Sequence, residues 1–150
     1  MSNRRFAILL GGLFAIEWIA LSIRPLYRAD WLLENYLILA FVPLLAATNR
    51  RFPFSRASYT LIFLFLCLHE IGAHYTYAQV PYDSWFRALT GETLNSLMGW
   101  QRNHFDRFAH FCFGLLLAYP IREIFMRVAD ARGFWADYLP VDVAMVSSAL

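Results

Sequence analysis

YTLIFLFLCLHEIGAHYTY, residues 59–77, is a run long enough to cross a bilayer, yet a glutamate and two histidines interrupt its apolar and aromatic side chains. Three readings compete for its polar part, CLHEIGAHYTY (67–77): a zinc-protease signature, a polar blemish in a core helix, or part of a site completed by distant residues. Geometry removes the first. A zinc-protease helix sets its histidines at i and i+4, on one face. His69 and His74 are five apart, about 140° round a helix.

Composition points to lipid. Of 150 residues, 59% are hydrophobic and 16% charged, whereas a soluble domain averages about a quarter charged. All 13 basic residues are arginine, and a net charge of +2 with the arginines scattered excludes a nucleic-acid surface. Cys67 and Cys112 lie in apolar runs and read as small packing residues, not as a disulfide framework. The chain has no internal repeat and no low-complexity linker.

Working outward, three more apolar segments appear: Phe6–Ile23, Trp31–Thr48 and Phe108–Phe125. Each approaches the ~20 residues that a hydrocarbon core of ~30 Å asks of a helix. Backbone groups in lipid must be satisfied within the segment, so helices are the only element that fits. Pro43 and Pro120 fall inside two of them and predict kinks. The first segment is a retained helix, not a cleaved leader, because Glu17-Trp18 interrupts it and further spans follow. A last apolar run, 141–150, is too short to cross, and the chain reads as a C-terminally incomplete copy of a longer protein. The expected architecture is thus all-α: one polytopic transmembrane helix bundle over 1–150, with four full spans, a truncated fifth at 141–150 and an outer loop over 78–104.

Arginine counts orient it. Arg4, Arg5, Arg50, Arg51, Arg56, Arg122, Arg127 and Arg132 would share one side against Arg24, Arg28, Arg87, Arg102 and Arg107 on the other. The positive-inside rule then makes the N-terminus cytoplasmic. Trp18, Trp31, Trp85 and Trp100 fit an outer interfacial belt. Within the outer loop, Trp85, Leu89, Leu94 and Leu97 suggest a short amphipathic helix lying over the bundle, from which Asp83 would face inward; a solvated connector is the alternative.

The same connectivity gathers the ionisable residues in one half of the bilayer. Glu17 lies roughly 16 Å from the start of the first helix, and His69 and Glu70 roughly 15–17 Å up the third. Glu34 falls near the outer start of the second, and His104, Asp106 and His110 near that of the fourth. Glu70 and His74 are i,i+4, as are Asp106 and His110, with Arg102 one turn earlier. Two neighbouring helices would each present a carboxylate and an imidazole to one spot, a set suited to a divalent metal or to proton transfer. Ionisable groups at this depth default to function, although a satisfied pair that locks helix packing is the plainer alternative. The expected ligands are Glu70, His74, Asp106 and His110. Arg102, Arg107, Glu17, Glu34 and Asp83 are supporting groups, and His69, which points off the Glu70–His74 stripe, is the weakest.

LHEIGAHYTYAQVPYD (68–83) together with RNHFDRFAHFCFGLLLAYPIREIFMR (102–127) resembles the YjdF-like inner-membrane protein family, a family of unknown function. The resemblance runs through most of the chain and into VSSAL. It puts the family's polar signature on His69, Glu70, His74, Tyr75, Tyr77, Asp83, Arg102, Asn103, Asp106, Arg107, His110, Arg122 and Glu123. It implies a bacterial multi-pass membrane protein without naming a reaction. Family members continue past SSAL with a glutamate-bearing helix and an acidic Gly-Asp-x-Trp-Asp-type segment. The residues leave several classes open: a metal-assisted membrane hydrolase acting on a lipid-borne or periplasmic small molecule, a proton-coupled transporter or channel subunit, a bis-histidine haem protein using His74 and His110, or a structural subunit.

Overall fold

The computed structural model describes residues 2–149 apart from 129 and 131. Among them are seven helices and no strand: α1 (Asn3–Ser22), α2 (Arg28–Thr48), α3 (Arg56–His74), α4 (Tyr82–Thr90), α5 (Leu94–Met98), α6 (Phe105–Val128) and α7 (Phe134–Ala149). α3 is the hub. α1, α2 and α6 all pack on it, and α7 packs on α6. Phe14, Ile38, Ile62 and Leu66, from α1, α2 and α3, form the central apolar cluster. The outward faces are also apolar: Ile8, Ile16, Leu33 and Leu37 are each more than half exposed. Such a band is a liability in water and the ordinary condition in lipid.

Local chemistry sets the helix ends. Ser2 caps α1 through Arg5 N at 3.3 Å and Ser55 caps α3 through Ser58 N at 3.2 Å, satisfying amides that open any helix. Gly91 and Gly99, both in the left-handed region, close α4 and α5. Asn103 Oδ1 accepts from Phe105 N at 2.9 Å where α6 starts.

α1, α2 and α3 are long and apolar enough to cross a membrane. The sequence predicts four such helices. α6 runs 24 residues, but charges crowd both of its ends. Between Arg107 and Arg122 only residues 108–121 are uncharged, fewer than the ~20 of a full crossing. The last helix begins at Phe134, ahead of the apolar run read at 141–150, and takes in Asp137, Pro140 and Asp142. Gly133, at φ 61°, turns the chain just before it. The loop over 78–104 is itself helical, with α4 where an amphipathic segment is expected.

Past His74 the chain reverses sharply. Thr76 and Tyr77 both take left-handed backbone conformations, φ 56° and 52°, which cost a β-branched or bulky residue free energy that its surroundings must offset. Here the offset is visible. Tyr77 N donates to Gly72 O at 2.7 Å, and the Tyr77 ring lies flat on Gly72, where a Cβ would come under 3 Å from three ring carbons.

Candidate functional site

Glu70 is 0% exposed, the largest completely enclosed side chain among the described residues. It projects from α3 one turn before the helix ends, towards the stripe Trp31, Asn35 and Ile38 that α2 buries against α3. Neither carboxylate oxygen has a hydrogen-bond partner among the described residues, and neither has the buried indole Nε1 of Trp31. Asn35, also fully buried, accepts from Trp18 Nε1 at 2.5 Å and donates to Trp31 O at 2.9 Å. Trp18 and Trp31 sit 5.7 Å apart between ring centroids. Glu17 of α1 reaches the same region, acting on both Glu70 and Cys67. A carboxylate thus stands among two indoles and an amide, with the Trp31 indole and the Asn35 amide as its neighbouring donors.

Beside it, on the adjacent face of α3, His69 Nδ1 lies 2.5 Å from Tyr77 Oη, while its Nε2 is buried without a hydrogen-bond partner by geometry among the described residues. Phe65 and Tyr77 flank the ring. Glu34 of α2 borders both His69 and Tyr77, and on its other side is within electrostatic reach of His110 on α6. His69, the weakest candidate by helical stripe, is therefore linked to this site through the reversal that returns Tyr77 onto α3.

The remaining sequence candidates disperse. His74 Nδ1 is 2.7 Å from Leu21 O; a carbonyl only accepts, so Nδ1 carries the proton there. His74 O in turn accepts from Leu26 N at 2.9 Å, so His74 stitches the end of α3 to the turn between α1 and α2. Asp106 Oδ1 is buried without a hydrogen-bond partner among the described residues, whereas His110 is exposed. Asp83 Oδ1 accepts from Asn95 N at 2.9 Å within the outer loop. Arg102 and Arg107 are exposed and form no ion pair among the described residues. No three histidine, cysteine, aspartate or glutamate residues among those described gather closely enough to hold a metal ion. Glu70, His74, Asp106 and His110 share one end of the bundle without converging.

Two polar features lie outside the sequence candidates. One is the Trp18–Asn35–Trp31 chain, for which a lone asparagine in an apolar run is the available signal. The other lies at the opposite end of α3. Glu123 of α6, 9% exposed, accepts from Ser55 N at 2.9 Å, from Ser55 Oγ at 2.9 Å and from Ser58 Oγ, and pairs with Arg127 at 2.5 Å. A carboxylate on the first turn of a helix satisfies its open amides and complements its dipole. This cluster ties α6 to α3 and carries no spare valence for a ligand.

Comparison with known proteins agrees with the fold. The chain is 37% identical over 124 residues to the inner membrane protein YjdF of Escherichia coli (strain K12), covering 82% of this chain and 56% of the relative. It thus spans about half the length of that protein. No solved structure matches it. A family model described as "Predicted membrane protein (DUF2238)" matches residues 6–150. The chain belongs to the DUF2238 family of membrane proteins.

Proposed function

We propose that this chain is a four-span inner-membrane subunit, with α6 as its fourth crossing and its N-terminus cytoplasmic, in which Glu70 takes up and releases a proton coupled to movement of a solute or of protons themselves. One observation supports this above others: a fully buried carboxylate whose two oxygens are unpartnered among the described residues. A charge held that way costs several kcal/mol. It must be neutralised by a proton or a cation, and among the described residues no arginine forms an ion pair with it. His69 and Tyr77, bonded to each other, and Glu34 with His110 extend titratable groups from α3 through α2 to α6. This is the kind of relay that lets a proton leave the enclosed position. The eight-to-five arginine asymmetry supports the orientation. In proteoliposomes containing an entrapped pH dye, this chain should admit protons under an inward gradient and Glu70→Gln should not. Equal rates for both and for empty vesicles would refute the reading.

A divalent cation is the second reading, favoured by the fact that Glu70 and Asp106 both keep a buried oxygen without a hydrogen-bond partner among the described residues. It requires α3 and α6 to bring His74 and His110 inward. Metal analysis of the purified protein beside His74→Ala and His110→Ala decides it. Stoichiometric metal lost in the variants supports it, and unchanged sub-stoichiometric metal in all three removes it.

A further inference from the structure

At the end of the bundle away from Glu70, a crevice of about 300 Å³ opens between the first turns of α1, the last turns of α2 and the first turns of α3. Gly11, Phe14, Ala46 and Leu66 give it apolar walls, and Arg4 and Asn49 stand at one end. It exists because α1 and α2 each pack on α3 and hardly on each other. Small residues keep it open: a Cβ on Gly11 would meet no atom within 4 Å.

Its dimensions match half a bilayer. From Arg4 to Phe14 the helix rises ~15 Å, and a hydrocarbon core of ~30 Å gives each leaflet the same depth. Its charge is one-sided. Arg4 is exposed and has no ion pair among the described residues. Segments 2–16 and 42–55, which frame the opening, contain Arg4, Arg5, Arg50 and Arg51 and no acidic residue. An apolar slot one leaflet deep, with an unpaired guanidinium at its mouth, is complementary to a lipid that carries a phosphate and a net negative charge.

We propose that this crevice binds one anionic phospholipid, an acyl chain lying between α1, α2 and α3 and the headgroup phosphate on Arg4. Bound lipid then fills the wedge that α1 and α2 leave and holds α1 at its present angle to α3. The proposal stands apart from the proton reading, since it concerns the other half of the membrane and other residues.

Native mass spectrometry of the detergent-solubilised protein, titrated with phosphatidylglycerol or phosphatidylcholine, tests it. The protein should retain one phosphatidylglycerol in preference to phosphatidylcholine. Gly11→Leu, which fills the slot, should abolish that retention, and Arg4→Gln, on the surface, should weaken it about fivefold, as loss of one arginine near a phosphate predicts. Retention unchanged in both variants overturns the proposal. So does equal retention of the two lipids, or a lipid-free dimer that Gly11→Leu dissociates, which would give the crevice to a second copy of the chain.

Discussion

Substituting Gly72 by alanine sets two physical effects against each other, and their sign differs. By helix propensity alone, alanine in place of an interior helical glycine stabilises by about 1 kcal/mol. Against this stands the Tyr77 ring, three of whose carbons would lie under 3 Å from the new Cβ. Tyr77 cannot yield cheaply. Its backbone is left-handed, its amide is held by Gly72 O at 2.7 Å and its hydroxyl by His69 at 2.5 Å. Overpacking of this kind costs about 1–3 kcal/mol, and displacing the ring forfeits a hydrogen bond worth about 0.5–1.5 kcal/mol. Gly72→Ala should therefore destabilise by about 0.5–3.5 kcal/mol net of propensity, measured by reversible denaturation in mixed micelles. Gly114→Ala, whose Cβ meets nothing within 4 Å, serves as the control and should be neutral or stabilising. In a double-mutant cycle Tyr77→Ala should relieve most of the cost of Gly72→Ala. If Gly72→Ala is as benign as Gly114→Ala, the reversal after α3 is not where the structure puts it, and the link from Tyr77 to His69 falls with it.

Other consequences follow from the same contacts. Glu123→Ala removes the acceptor for Ser55 and Ser58 and the partner of Arg127; it should destabilise by about 1–3 kcal/mol, read as a shift in the denaturation midpoint. Glu123→Gln should recover part of that loss because its amide oxygen still accepts. Asn35→Leu breaks the Trp18 hydrogen bond and should cost about 0.6 kcal/mol, the average for such bonds between membrane helices, and no more than about 1.7 kcal/mol, with a change in tryptophan emission as a second readout. Tyr77→Phe leaves His69 Nδ1 without its partner and should destabilise by about 1 kcal/mol; no change in stability would place that phenol elsewhere.

The fold was legible where lipid dictates it. Residues 6–23, 31–48 and 59–77 announce helices because an apolar run of that length has no other way to satisfy its backbone in hydrocarbon. α1, α2 and α3 lie on them to within a few residues. The end of α3 was less legible. The chain reverses through Thr76 and Tyr77, two residues that ordinarily avoid the left-handed region, so no glycine or proline marked the turn. That reversal joins His69 to Tyr77, a link that helical stripes place out of reach. The α6 boundary blurred for a different reason. Arg122 and Glu123 sit at the end of an apolar run, and Glu123 is held by Ser55, 68 positions away. A carboxylate that caps a distant helix looks, in sequence, like any charge at a membrane edge. Glu70 was visible as an ionisable group deep in an apolar run; its companions Trp18, Trp31 and Asn35 were not, because indoles near an interface read as a belt. His74 shows the limit of pairing by periodicity, since it shares a stripe with Glu70 yet bonds to the backbone carbonyl of Leu21 at the end of α1.

The most direct test of Glu70 as an enclosed proton carrier is pH-difference infrared spectroscopy of the protein in lipid, which detects the carbonyl stretch of a protonated carboxylic acid in a dry surrounding. The wild-type spectrum should contain such a band, and it should vanish in Glu70→Gln while persisting in Glu17→Gln. Spectra identical in wild type and Glu70→Gln would contradict the account.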